Sequence, residues 1–308
     1  MNIKGFKTLD EQIEILQSRG LIINDIDFAK YILSTENYYN VINGYKSLFI
    51  DLSNKESERF LPQTTFKEIF SLYEFDQNLR ILFLKFLFKI ENMIKTNIAY
   101  VFSQKYGHDN YLKYENFDLS GNKSYHNVGL LITNLHRDIA DQIDKNKSVT
   151  HYIKHHGYIP PWVLVNILTF GRISKFYSNM KQADRQQVSK NINKNLMEND
   201  LKNYLEFLSI MRNLCAHGER FYNYKCHVKL KNNNFYKKLN YNNKDDNRNN
   251  IFALLVSLKA LLSKEDFDIL INEISSLLSQ LEKNLNSISL SKITDSMGFI
   301  ENWKEILS

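Results

Sequence analysis

The stretch TFKEIFSLYEFDQNLRILFLKFLFKIENMIKTNIAYVFSQKYG, residues 65–107, decides the fold class. Thr65 followed three residues later by Glu68 is a capping box, a hydroxyl and a carboxylate set to satisfy the free amides of a helix start. Gly107 is the stop signal after Tyr106. Between them the apolar residues recur at helical spacing and cover nearly every face, which predicts the buried central helix of a bundle. Its charges, Glu74, Asp76, Arg80, Lys85, Lys89, Glu91 and Lys95, are then confined to the remaining surface or to buried pairs. Arg80 and Glu91 are the candidates for buried pairs, with structural ion pairing ahead of any chemical role.

The flanking sequence has the same character. Thr8 and Glu11 form a capping box, Leu9, Ile13 and Leu16 make one apolar face, and Gly20 closes that helix. A second helical stretch from about Asp25 reaches the pair Tyr38-Tyr39 and is interrupted at Gly44-Tyr45; the polar segment Asp51 to Arg59 is a loop. Beyond the central helix, periodicity predicts helices over Ser124 to Asp144 and from Trp162, opened by Pro160-Pro161, broken near Gly171 and resumed to Met180. Further helices are predicted over Asp200 to His217, stopped by Gly218, and as a hairpin of Ile251 to Leu262 with a segment capped by Ser263 and Asp266. Met297-Gly298-Phe299 and a short helix around Trp303 close the chain. The fold class is all-α, divided into an N-terminal helical subdomain, 1–60, and a main helical bundle, 61–308.

Composition bounds the function. A chain of 308 residues with 43% hydrophobic content can bury a large core without metal or disulfide staples. Met1 to Lys7 leads into a polar helix with no apolar signal region. The most apolar run, Leu79 to Ile90, carries Arg80, Lys85 and Lys89, which a membrane span would not accept. Two cysteines, Cys215 and Cys226, are too few for a disulfide framework or a four-ligand zinc site, which fits a reducing cytoplasm. His151 and His155 stand at i, i+4 spacing beside His156, but the glutamate of the metalloprotease arrangement is absent, and surface histidines are the better reading.

The charge excess is local. Between Arg220 and Asn250 there are eight basic residues (Arg220, Lys225, Lys229, Lys231, Lys237, Lys238, Lys244, Arg248) against Asp245 and Asp246, a net of +6, equal to that of the whole chain. The strip is interleaved with Phe221, Tyr222, Tyr224, Phe235, Tyr236 and Tyr241. Lysines that neutralise phosphates among rings that stack on unpaired bases suit a single-stranded nucleic acid; the bland reading is a solvated Asn/Lys-rich loop.

Just before the strip, Arg212-Asn213-Leu214-Cys215-Ala216-His217 sets an arginine, an amide and a histidine on a helix end. Five residues turn a helix by about 500°, so Arg212 and His217 stand about 140° apart on a straight spiral. Either the helix ends at Gly218 and lets His217 turn away, or two copies of the motif build one pocket. Spacing alone is weak, since Arg220 and His227 also fit a loose arginine-to-histidine pattern.

The segment Arg212 to His217 resembles the catalytic motif of HEPN ribonucleases: Arg, a polar residue, three variable positions, His. The flanks resemble more narrowly the Abi-like abortive-infection proteins of the AbiD/AbiF group, through Tyr38-Tyr39 with Gly44-Tyr45, Leu-Tyr-Glu-Phe-Asp at Leu72 to Asp76, Pro160-Pro161-Trp162 with Phe170-Gly171, and Met297-Gly298-Phe299 with Trp303. The chain departs from the pattern at Gly218-Glu219, where a second His or Ser often follows the motif, and at Asn40, where Arg often follows the tyrosines.

The resemblance implies a HEPN-type bundle, with 220–250 as a basic insertion, and metal-independent RNA cleavage without a cofactor. In that chemistry His217 is general base on a 2′-hydroxyl or acid on the leaving oxygen, Arg212 holds the phosphate oxygens, and Asn213 orients one of the two. The products are a 2′,3′-cyclic phosphate and a 5′-hydroxyl. Each chain supplies one motif while acid and base are both needed, so a homodimer is expected. A neutralising partner is also implied, for the AbiF branch a small noncoding RNA. Arg220, Lys225, Lys229, Lys231 and Tyr222 are the expected RNA contacts. The competing reading is a HEPN-like RNA-binding protein without catalysis; a DNA-binding regulator is disfavoured, because no helix-turn-helix with a basic recognition helix is legible.

Overall fold

The computed structural model describes residues 5–53, 57–233, 236–237 and 248–307. It is all-α: among the described residues the only β-type pairing is isolated bridges. The helices are α1 (Leu9–Ser18), α2 (Ile26–Glu36), α3 (Phe66–Tyr106), α4 (Ser124–Gln142), α5 (Lys147–His156), α6 (Pro161–Ile167), α7 (Phe170–Asn179), α8 (Gln182–Ile192), α9 (Glu198–Ala216), α10 (Ile251–Leu261), α11 (Lys264–Glu282), α12 (Leu290–Met297) and α13 (Trp303–Leu307). A π-helical turn, Tyr39–Asn43, and a 3-10 turn, Lys46–Phe49, follow α2. No helix among the described residues is long and apolar enough to cross a membrane.

The 41-residue α3 is the axis of the fold, with α6, α7, α8, α9 and α11 packed around it. Its ends lie where the sequence places them, with Thr65 Oγ1 accepting from Glu68 N at 3.1 Å and Gly107 at φ 84°. The capping box is only half made, however. Glu68 is fully buried and turns away from the cap, accepting instead from the amides of Asn286 and Ser287 and from the Ser287 hydroxyl at 2.8–3.0 Å. The carboxylate predicted for a local cap thus fastens the segment between α11 and α12 to the start of α3. Thr8 and Glu11, by contrast, make the full reciprocal box.

The N-terminal helices rest on the first turns of α3. Phe28 meets Phe66 and Phe70 edge-on, with centroids 6.4 and 5.5 Å apart, and the Tyr73 hydroxyl donates to Glu36 at 2.5 Å. The break between α6 and α7 falls at Leu168-Thr169 and not at Gly171, because Thr169 Oγ1 accepts from Arg172 N and caps a new helix that already contains Gly171. Helix α8 carries no apolar period to read; Asp184 ties it to α3 through Lys105 Nζ at 2.6 Å and the Tyr106 hydroxyl at 2.7 Å.

Candidate functional site at the end of α9

Two buried carboxylates on α3 meet the chain around His217. The first is Asp76, with no exposed surface. It accepts from Arg80 Nη1 (2.7 Å), the Tyr45 hydroxyl (2.5 Å) and the backbone amides of Phe221 (3.0 Å) and Tyr222 (2.6 Å). Burial pushes its carboxyl up and these donors pull it back. Arg80 also donates to Glu219 O at 3.1 Å, and Arg220 Nη1 to Gly44 O at 2.6 Å. The turn after His217 is therefore fastened both to α3 and to the N-terminal segment. Tyr45, Asp76 and Tyr222, far apart in sequence, meet in one buried knot, with the rings of Tyr45 and Tyr222 stacked at 5.9 Å.

The second carboxylate is Glu91, buried and paired to Lys95 Nζ at 2.8 Å. Its other oxygen accepts from Arg212 Nε at 3.2 Å. The guanidinium of Arg212 lies 5.1 Å from the ring centre of Phe88, and its Nη1 donates to Asn213 Oδ1 at 3.3 Å. Nη2 has no partner among the described residues, and a quarter of the side chain is exposed. A buried carboxylate and an aromatic face thus hold the charge in place while one edge of the fork stays open to solvent.

His217 is the C-cap of α9 and exposed. Its amide still donates to Asn213 O at 3.0 Å, so the spiral continues through His217 and the chain departs only at Gly218, φ 72°. The expected escape at Gly218 therefore comes one residue too late to move His217, and the offset of about 140° from Arg212 persists. Asn213 joins the two, bonded to Arg212 and four residues before His217 on the same exposed face. Cys215, inside the motif, is buried, and burial pushes its thiol up to about 12, which removes it as a nucleophile.

These features lie inside a recognisable family region. The family model described as Abi-like protein matches residues 31–223, which spans Tyr38-Tyr39, Leu72 to Asp76, Pro160 to Trp162 and the whole of Arg212 to His217. The chain belongs to the Abi-like protein family. No curated protein and no solved structure matches it. Membership suggests a role in abortive infection. The Met297 to Phe299 tail of this Abi-like chain lies outside the matched residues, where Gly298 closes α12 at φ 81°.

The predicted RNA contacts divide. Lys225, Lys229 and Lys231 are exposed, as is His227, while Cys226 and Leu230 between them are buried, so this part of the strip presents a basic edge. Arg220 is exposed, but part of its fork is committed to Gly44. Tyr222 is a correction: it is fully buried, as is Phe221, whose ring meets Phe83 at 5.3 Å. Neither can stack on a base, because Asp76 has drawn their amides into the core. The strip residues 234–235 and 238–247, with Lys238, Lys244 and Tyr241, lie outside the described residues. Glu91 and Phe88 as the seat of Arg212 were not foreseen; the available signal was a carboxylate and a lysine four apart on an apolar helix, which demand a partner.

Proposed function

We propose that this Abi-like protein is a metal-independent endoribonuclease of the HEPN kind, acting in phage defence by abortive infection or as the toxin of a toxin-antitoxin system. The observation that carries the reading is the seat of Arg212: a guanidinium fixed by a buried carboxylate, opened to solvent on one edge, and linked through Asn213 to the face that bears His217. A fork held in this way meets a phosphate without first losing its own freedom, which suits stabilisation of charge in a transition state. His217 exchanges the proton, as base on the ribose 2′-hydroxyl or as acid on the 5′-oxygen. The cleavage leaves a 2′,3′-cyclic phosphate and a 5′-hydroxyl.

The persistent angular offset between Arg212 and His217 supports two copies facing each other, so that the arginine of one copy and the histidine of the other serve one phosphodiester. Ile81, Phe88, Tyr100 and Trp162, apolar yet exposed, favour such a pairing.

The test is RNA cleavage by purified protein together with growth arrest on induction. His217→Ala should slow cleavage by about 10²–10⁴-fold and relieve arrest, with stability within about 0.5 kcal/mol, as for an exposed side chain. Arrest that persists with His217→Ala, with no cyclic-phosphate ends formed by the natural sequence, would replace the enzyme with an RNA-sequestering protein.

A further inference from the structure

The exposed face of α9 that carries His217 and Asn213 continues toward the N-terminal end of the helix as Glu206 and Lys202. There it walls an open groove of about 540 Å³. Asn127 and Asn134 of α4 and Arg172 and Lys175 of α7 line the same groove, and no aromatic ring does. Arg172 is neutralised by Asp138, Nε to Oδ2 at 2.8 Å. Lys175 and Lys202 make no ion pair among the described residues, and Glu206 is the one carboxylate of the lining.

The basic edge of the strip adjoins this groove. Asn203, beside Lys202, accepts from Lys231 N at 2.8 Å and donates to Lys229 O at 3.2 Å, which pins the strip to this turn of α9. Desolvation by the surrounding protein, first, and the charges of Arg185, Lys231 and Lys175 hold the Lys202 ammonium below the ordinary lysine value, against the opposing pull of Glu206. Cations gathered on a polar groove with too few carboxylates to balance them call for an anion.

We propose that this groove is a phosphate-binding subsite for single-stranded RNA, in which Lys175, Lys202 and Lys231 hold the backbone of the strand that Arg212 and His217 cut. The proposal rests on the nuclease reading for the identity of the strand. Glu206 and His217 lie about 16 Å apart along the helix axis, so the strand follows α9 from the groove to the cleavage site. Lysine ammoniums are point charges and the lining offers no ring to stack on, so the subsite reads backbone and tolerates sequence.

The experiment uses the full chain carrying His217→Ala, so that RNA is bound and not cut, with a fluorescent single-stranded RNA oligomer titrated by anisotropy at several salt concentrations. Adding Lys175→Gln, Lys202→Gln and Lys231→Gln together should weaken binding about tenfold at low salt and lower the slope of log affinity against log salt by about 2, at about 0.7 for each lost contact. Lys264→Gln, Lys283→Gln and Lys292→Gln, three exposed lysines of α11, α12 and the segment between them, remove the same charge elsewhere and should leave both quantities near the parent. Equal losses from the two triples, or an unchanged slope in the first, would overturn the groove. The nuclease reading is judged separately, by cleavage with His217 present: RNA bound in the groove but never cut defeats the enzyme and spares the subsite, whereas cutting without groove dependence does the reverse.

Discussion

Two carboxylate–cation pairs on α3 have the same form and different uses. Asp76 with Arg80 and Glu91 with Lys95 are both i, i+4 pairs with nearly all of their surface buried, and they stand about 22 Å apart on one helix. Both reach the segment around His217. At Asp76 every further donor is a buried amide or a buried tyrosine, so the pair is a lock. At Glu91 the further donor is Arg212, a quarter exposed, so the pair is a mount that aims a charge at solvent. A buried ion pair is thus no guide to function by itself; the exposure of its third partner separates structure from chemistry.

The largest expected effect tests the lock. Asp76→Asn keeps the shape but sets an NH₂ group against amide and guanidinium donors, and should cost about 3–5 kcal/mol in urea unfolding, as for a broken buried pair. Glu91→Gln should cost less, about 1–3 kcal/mol, because Arg212 can turn to water, yet it should slow RNA cleavage in protein that remains folded. If Asp76→Asn proves the milder in unfolding, or Glu91→Gln leaves cleavage untouched, the division into lock and mount collapses.

Smaller effects sharpen the boundary between the two. The Cys215 thiol, pushed up to about 12, stays protonated at neutral pH, so iodoacetamide should label native protein at pH 8 far more slowly than the unfolded chain. Because the shift is upward, labelling should quicken only as pH climbs toward that value; rapid labelling at pH 8 would mean that the helix end is open to solvent. The smallest change expected is for Tyr222→Phe, which should leave RNA affinity unaltered, since the hydroxyl it removes is buried and cannot reach RNA. A measurable loss of affinity without loss of stability would restore the surface reading of that residue.

Several of these distinctions were legible in part. The stop and start of α3 follow from Thr65 and Gly107, local groups whose effect does not depend on the rest of the fold. Arg80 and Glu91 could be picked out as buried charges from their place on an apolar helix, but not the contacts they make beyond their i, i+4 partners, which come from 139 and 121 residues away. Helix α8 escaped because polar contacts hold it where periodicity reads only apolar ones. Lys175 and Lys202 escaped because neither belongs to a charge run: α7 and α9 bring them to one groove.

What the chain determined alone was the helical class, most helix ends, and the Arg212 to His217 segment with its basic sequel, since caps, glycine stops and apolar period act over a few residues. The tertiary structure decided which side of each segment faces water. Tyr222 went inward because Asp76 needed its amide, and Arg212 stayed partly outward because Glu91 could take only one edge of its fork. A buried charge must be matched wherever the partner happens to lie along the chain, and that pairing is fixed only when the helices pack.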